Sequence, residues 1–219
     1  KAAAVSLRFV SRGAGAHTAR VSVAVGAGAR LQLFETYESD GGSVSQASLT
    51  ISLAAGATVE RIVLAADDAE AVSASQAEVQ LAPKSQFSQT VVASGARRQR
   101  LETRVLHPGG HADLRLDGIY LLADKRHSDQ TTVVTHAGVD GVTQQLTKGV
   151  VRDQARGVFQ GRIVVEEGAD RTDARMGHHA LILSDRAEVD AKSELEIYAD
   201  DVACAHGNTV GALDEDALF

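Results

Sequence analysis

Small-residue turns recur along this chain at nearly constant spacing, and no other feature restricts its fold as tightly. Each turn is flanked by apolar residues that alternate with polar or small ones. VSVAVGAGARLQLFETY is centred on Gly28, and LTISLAAGATVERIVLA on Gly56. AEVQLAPKSQFSQTVVA follows at Lys84, then LETRVLHPGGHADLRLDGIY at Gly110, THAGVDGVTQQL at Gly138 and IVVEEGADRTDARM at Gly168. The successive intervals are 28, 28, 26, 28 and 30 residues. A period in this range marks a chain built by stacking one supersecondary unit on the next.

The units are strand-like. Val21, Val23 and Val25 alternate with small or polar residues, as do Leu49, Ile51 and Leu53, and later Leu195 and Ile197. A period of two sends one row inward and the other to solvent. The only two prolines, Pro83 and Pro108, fall in turns, where they cost no ladder hydrogen bond. This pattern predicts an all-β fold, a parallel β-helix (β-solenoid) with two strands and two turns in each coil of about 28 residues. About eight coils at ~4.8 Å each make a body roughly 38 Å long. A two-sheet sandwich also has short alternating strands, but nothing in it requires constant spacing. The expected organisation is one core domain over 1–213, with SDGGSVSQAS (39–48) as a long turn. From Asp214 the acidic end, 214–219, reads as the start of a truncated C-terminal helical segment. Terminal coils expose unpaired strand edges and open core, so the ends of such a stack call for caps or partners.

Composition narrows the function. Apolar residues make up 44% of the 219, yet only five Phe and three Tyr are aromatic and Trp is absent. Such a core is built from Val, Leu, Ile and Ala in thin repeated layers. The net charge of −7 argues against a general nucleic-acid or anionic-membrane surface. Arg97, Arg98, Arg100 and Arg104, with Glu102 among them, read as a solvated strand face. No apolar run approaches the ~18–20 residues of a membrane span, and the opening KAAAV has no signal-peptide pattern. One cysteine excludes a disulfide framework and suits a reducing cytoplasm. Neither a phosphate-binding Gly-rich loop with Lys-Ser/Thr nor a Gly-x-Ser-x-Gly elbow occurs, so the chain is expected not to be an enzyme.

The chemistry-bearing residues gather near the end, in LEIYADDVACAHGNTVGALDEDALF (195–219). Cys204 and His206 are two positions apart, which in an extended segment puts them on one face about 6.5 Å apart. Thiolate and imidazole are good ligands for iron or zinc, and an imidazole is a competent iron ligand near neutral pH. Two ligands fall short of the four that a closed site or cluster requires, so a second chain is expected to complete the sphere. On spacing alone His206 reads equally as a metal ligand or as a turn histidine that hydrogen-bonds nearby backbone, because Gly207 and Asn208 follow it directly. If the alternation of Leu195, Ile197 and Ala199 runs on unbroken, Cys204 and His206 face outward. If Asp200 and Asp201 bend the chain, Val202 and Cys204 turn inward. The two adjacent aspartates point to opposite sides of a strand and so form a turn, not a catalytic dyad. His178 and His179 also alternate and read as exposed or turn-packed. His107 and His111 flank the Pro108-Gly109-Gly110 turn, where a surface metal site is conceivable. Arg152 and Arg156 read as inter-coil ion-pairing residues, and Gly157 and Gly161 as turn or close-approach positions.

Two motifs carry a resemblance: KGVVRDQARGVFQGRIVVEEGADRTDARMGHHALILSDRAEVDAKSELEIYADDV (148–202) and DDVACAHGNTVGALDEDALF (200–219). Across this last third the chain resembles the SufB/SufD family of iron–sulfur assembly proteins. The preceding two thirds match only as a β-helical repeat. The resemblance implies a right-handed parallel β-helix core with flanking helical regions, largely missing here. It implies a non-catalytic scaffold that pairs with a SufB-like paralogue and is coupled to a SufC-like ABC ATPase through the missing C-terminal helical region. His206, with Cys204, would then lie at the SufB junction and help receive a transient iron–sulfur cluster. No cofactor would be held stably by this chain alone. Asp200, Asp201, Arg152, Arg156 and Gly207 would support that interface. In isolation a homodimer is expected, because the same surface stays exposed. A polysaccharide-processing β-helix enzyme and a structural or adhesive solenoid are the rival readings.

Overall fold

The computed structural model describes residues 1–212, and the proposed helical segment at 214–219 lies outside them. Fifteen strands follow in chain order: β1 (Ala2–Arg12), β2 (Ala16–Val25), β3 (Arg30–Asp40), β4 (Val44–Leu53), β5 (Thr58–Ala66), β6 (Val72–Gln80), β7 (Gln86–Ala93), β8 (Arg98–His107), β9 (Asp113–Leu122), β10 (His127–His136), β11 (Val142–Val151), β12 (Arg156–Val165), β13 (Thr172–Ile182), β14 (Glu188–Ile197) and β15 (Val202–Ala212). Odd-numbered strands form one parallel sheet of eight, and even-numbered strands form a second of seven. Every strand therefore pairs with the strand two further on, one coil away. This is the stacked β-solenoid that the spacing predicts, with about eight turns. The stretch 39–48 is no long turn: β3 and β4 occupy most of it, and only three residues join them. Among the described residues no helix is long and apolar enough to cross a membrane.

A backbone ladder sets the coil length. Gly28, Gly56, Lys84, His111, Asp140 and Arg171 have φ of 57° to 67°, the left-handed region. The first five lie two residues before the next odd strand, and Arg171 directly precedes β13. Their N–H groups donate to the turn carbonyls one coil on, from Gly28 to Ala55, Gly56 to Pro83 and Lys84 to Gly110, and then from His111 to Asp140. Spacing along this row is 28, 28, 27, 29 and 31 residues. The last three turns thus fall one to three residues beyond Gly110, Gly138 and Gly168, because later coils carry extra turn residues.

Alternation holds in most strands, with β5 burying Val59, Arg61, Val63 and Ala65 in turn. The interior contains two apolar clusters. One runs through Leu33, Ile51, Val59, Leu114 and Ile163, and the other through Tyr37, Leu49, Val63, Ala93 and Tyr120. Between them the lumen is polar. Arg61 grips Glu35 with two donors at 2.9 Å, both side chains being buried, and Tyr37 donates to the same carboxylate.

Three histidines, His107, His136 and His178, lie inside, contrary to the expectation of turn or surface positions for His107 and His178. His107 and His136 stack at 4.4 Å, with His136 against Thr143 at 2.9 Å. His178 stacks on Phe159 at 4.8 Å and shares a 2.8 Å hydrogen bond with the Tyr120 hydroxyl. His107 therefore supports no surface metal site, while His111 stands exposed on the far side of the turn. Gly157 and Gly161 sit inside β12 and serve close approach, not turns. A Cβ at Gly149 or Gly157 would overlap the Tyr120 ring, and one at Gly161 would meet Met176.

Arg156 pairs with Asp190 at 2.6 Å and Glu188 at 3.6 Å on the next coil, as expected of inter-coil pairing. Arg152 differs: it lies in the turn before β12, and its ion-pair partner is the adjacent Asp153 at 3.6 Å.

Gly149→Ala is expected to cost about 1–3 kcal/mol by forcing the buried ring aside. Urea unfolding followed by circular dichroism measures this, and an unchanged midpoint would show that the ring has room to move. Burial lowers the pKa of His107, takes His136 to about 3 with help from neighbouring His107, and takes His178 to about 4. In the unfolded chain all three titrate near ~6.5, so below that pH the unfolded state takes up more protons. The stability from these neutral rings is complete above pH ~6.5 and declines as pH falls toward 4. Urea midpoints should drop between about pH 7.5 and about pH 5, before most carboxylates titrate. Equal midpoints would contradict buried neutral imidazoles.

Candidate functional site

The bend at Asp200–Asp201 resets the alternation before β15. Ala199 and then Val202, three positions later, both pack against the first apolar cluster, and Cys204 follows on the same side. Cys204 and His206 therefore take the lumenal phase, not the outward phase that unbroken alternation would give. Strand register shows the same. Cys204 lies beside Ala174, His206 beside Met176 and Asn208 beside His178, and all three β13 residues are buried and inward.

The phase is inward, yet the position is open. β15 ends its sheet, and the opposite sheet stops at β14, half a coil earlier. β14 faces β15 from the opposite sheet, but among the described residues no coil stacks beyond β15, so His206 is exposed while Cys204 is half-buried. Ser193 on β14 donates to Asn208 Oδ1 at 2.8 Å, tying the two terminal strands together across the mouth. Gly207 points the other way, along with Ala203, Ala205, Thr209 and Gly211. That outer face of β15 has no charge and no bulk.

Asp200 and Asp201 are exposed in the bend, where the Asp201 carbonyl accepts the Arg171 N–H in the turn ladder. They shape the entry to β15 and do not converge with Cys204. Arg152 and Arg156 lie in and just after the turn before β12, in the opposite sheet or at its edge, and neither has an ion-pair partner on β15. Among the described residues no group of three or more His, Cys, Asp or Glu side chains is placed to hold a metal ion. A thiol and an imidazole on one strand face thus offer two donors, and any larger coordination sphere needs donors from outside the described residues. Asn208 and Ser193 escaped the sequence reading. Their only signal there was the i, i+2 relation of Asn208 to His206.

Burial pushes the Cys204 thiol pKa up; nearby Asp173 adds to this, and a backbone hydrogen bond at Ala174 opposes it. The thiol therefore stays protonated near neutral pH, and it needs a metal or a base to become a good ligand. Alkylation of Cys204 by iodoacetamide at about pH 8 should run several-fold slower in the folded chain than in urea. Equal rates, read by mass spectrometry, would place the sulfur fully in water.

Comparison with known proteins fits this arrangement. The profile of the SUF system FeS cluster assembly, SufBD core domain, matches residues 9–219. The iron-sulfur cluster assembly protein SufD of Escherichia coli (strain K12) is 36% identical over 133 residues, covering 61% of this chain and 31% of that protein. The iron-sulfur cluster assembly SufBD family protein slr0076 of Synechocystis sp. is 30% identical over 136 residues, covering 62% and 30%. SufD of Bacillus subtilis (strain 168) is 35% identical over 89 residues, covering 41% and 20%. The chain matches about three-tenths or less of the length of these relatives. With a family profile spanning nearly its whole length on a stacked parallel solenoid, this chain belongs to the SufBD core-domain family of the SUF iron–sulfur cluster assembly system and is SufD-like within it.

Proposed function

We propose that this chain is the non-catalytic scaffold half of a two-solenoid unit on which iron–sulfur clusters are built. The observation that carries the proposal is the exposed His206 ring beside the half-buried Cys204, both on the lumenal face of β15, whose outer sheet edge is unpaired among the described residues. Family membership supplies the iron–sulfur context.

The two edges at this end differ in a way that favours strand addition at β15. Five of the ten residues of β14 are charged, Glu188, Asp190, Lys192, Glu194 and Glu196, and such charges guard an edge. β15 carries no Asp, Glu, Lys or Arg along eleven residues, and its outer face is made of Ala, Gly and Thr. A homologous solenoid can therefore extend the eight-stranded sheet through β15. That places its own donor side chains against Cys204 and His206 and completes the four-ligand sphere that iron or a cluster needs.

In this reading the partner is a SufB-like paralogue, and a SufC-like ATPase drives opening and closing of the junction. Self-pairing through β15 gives a homodimer when the paralogue is absent. The core domain over 1–213 acts in the cytoplasm, where the thiol stays reduced, and it holds the cluster only transiently. Asp200, Asp201 and Gly207 shape the approach to β15, while Arg156 stiffens the coil beneath it.

In the assembled three-component complex, His206→Ala should reduce cluster build-up, followed by visible absorbance, at least ten-fold while leaving complex formation intact on gel filtration. Cluster assembly at the parental rate would refute the role of His206. Loss of the complex itself would make His206 an interface residue and not a ligand.

A further inference from the structure

The polar seam of the lumen holds a small polar cavity beside an unpaired carboxamide oxygen, and we infer that this cavity is a binding site for a single structural water. From the Glu35–Arg61 pair the seam continues to Gln89, whose carboxamide Nε2 donates to Thr103 Oγ1 at 3.1 Å. Further along the axis Gln145 Nε2 donates to Thr132 Oγ1 at 2.7 Å. Between these two hydrogen-bonded groups lies a cavity of about 20 Å³, lined by Gln89, Thr103, Gln130, Thr132, Gln145 and Thr147 among others. Leu116 occupies the intervening coil in the same inward row as Gln89 and Gln145, so no carboxamide bridges them directly.

Gln145 is 5% exposed, and its Oε1 has no hydrogen-bond partner. Exchanging the oxygen and nitrogen of its carboxamide gives no relief. Oε1 would then accept from Thr132, and a buried NH₂ would be left unpaired in its place. Either way one strongly polar atom in the lumen needs a partner.

Size and chemistry select the ligand. A space of this volume admits one water and nothing larger, since about 10–15 Å³ holds one water molecule. Buried waters make two to four hydrogen bonds to groups otherwise unsatisfied. Here the water donates to Gln145 Oε1. The Thr132 hydroxyl, already accepting from Gln145, retains a hydrogen to give it. The Gln130 carboxamide, held by its own 3.3 Å bond to the Ile119 carbonyl, lines the same space. Gln89 and Thr103 line the same space, so the water lies where the polar segment that begins at Glu35 on β3 meets the one that ends at Gln145 on β11. In the row of Gln145 the next residue is Met176 and the last is His206, so the network stops one thioether short of the exposed imidazole.

A crystal structure that resolves ordered solvent should show one density peak about 2.7–3.2 Å from the Gln145 carboxamide and within reach of Thr132 or Gln130. In solution, the Gln145 side-chain amide should give a nuclear Overhauser cross-peak to a long-lived water. Both signals should vanish in Gln145→Met, a variant whose circular dichroism shows the fold retained. An empty cavity, a Gln145 carboxamide turned to a direct protein partner, or a water signal that survives Gln145→Met would each overturn the assignment. If Gln145→Met fails to fold, the density and cross-peak in the parent chain decide the matter alone.

Discussion

Everything in this molecule depends on in-register parallel stacking, fixed at one corner of six successive coils by a left-handed turn residue. A parallel ladder cannot slip by one residue without moving its whole inward row to solvent. The turn N–H that reaches the next coil's carbonyl locks this register. Glycine enters that conformation without steric cost, whereas Lys84, His111, Asp140 and Arg171 hold it against a preference for negative φ. The neighbouring coils supply the restraint. Arg171, for instance, pairs its guanidinium with Asp140, the preceding residue of the same row, at 2.7 Å.

The lumen departs from the thin aliphatic core that the composition suggests. Two apolar clusters flank a seam holding a buried ion pair, glutamines and threonines. Such pairs add little net stability compared with well-packed apolar residues, but losing one partner leaves a bare charge in the interior. Their effect is therefore on register. Glu35 and Arg61 satisfy each other only when β3 and β5 are aligned as they are, with Leu33 beside Arg61.

The sequence made the architecture legible because turns and alternation are local, and both survive in a repeat. It was poorer on which polar residues face inward. His107, Asp67 and Gln89 stand at alternating positions, yet their side-chain type argues for solvent, and only the paired strands show that they are enclosed. Asp67 is held by Ser73 at 2.7 Å and Gln99 at 2.9 Å, contacts that span up to 32 residues of sequence and leave no local trace. Cys204 and His206 were found as a pair from their spacing alone. Their phase was not, because one residue gained or lost at the Asp200–Asp201 bend inverts every side chain after it.

That inversion sets how accessible the His206 row is at β15. A lumenal side chain is held by the coils above and below it and is shielded from water, as Met176 and His178 are. Only in a terminal coil does the same inward phase leave a side chain both oriented by its neighbours and reachable from outside. His206 occupies the row of Arg61, Gln89 and Gln145 one step beyond the last covered residue. It inherits the fixed geometry of an interior position together with the access of a surface one. In the proposed pairing, a partner that stacks on β15 buries the row again, so that occupancy of the proposed site and closure of that interface would be a single event. The half-buried thiol beside it, kept protonated by its surroundings, gains a ligand's charge only when that closure brings something to share it with.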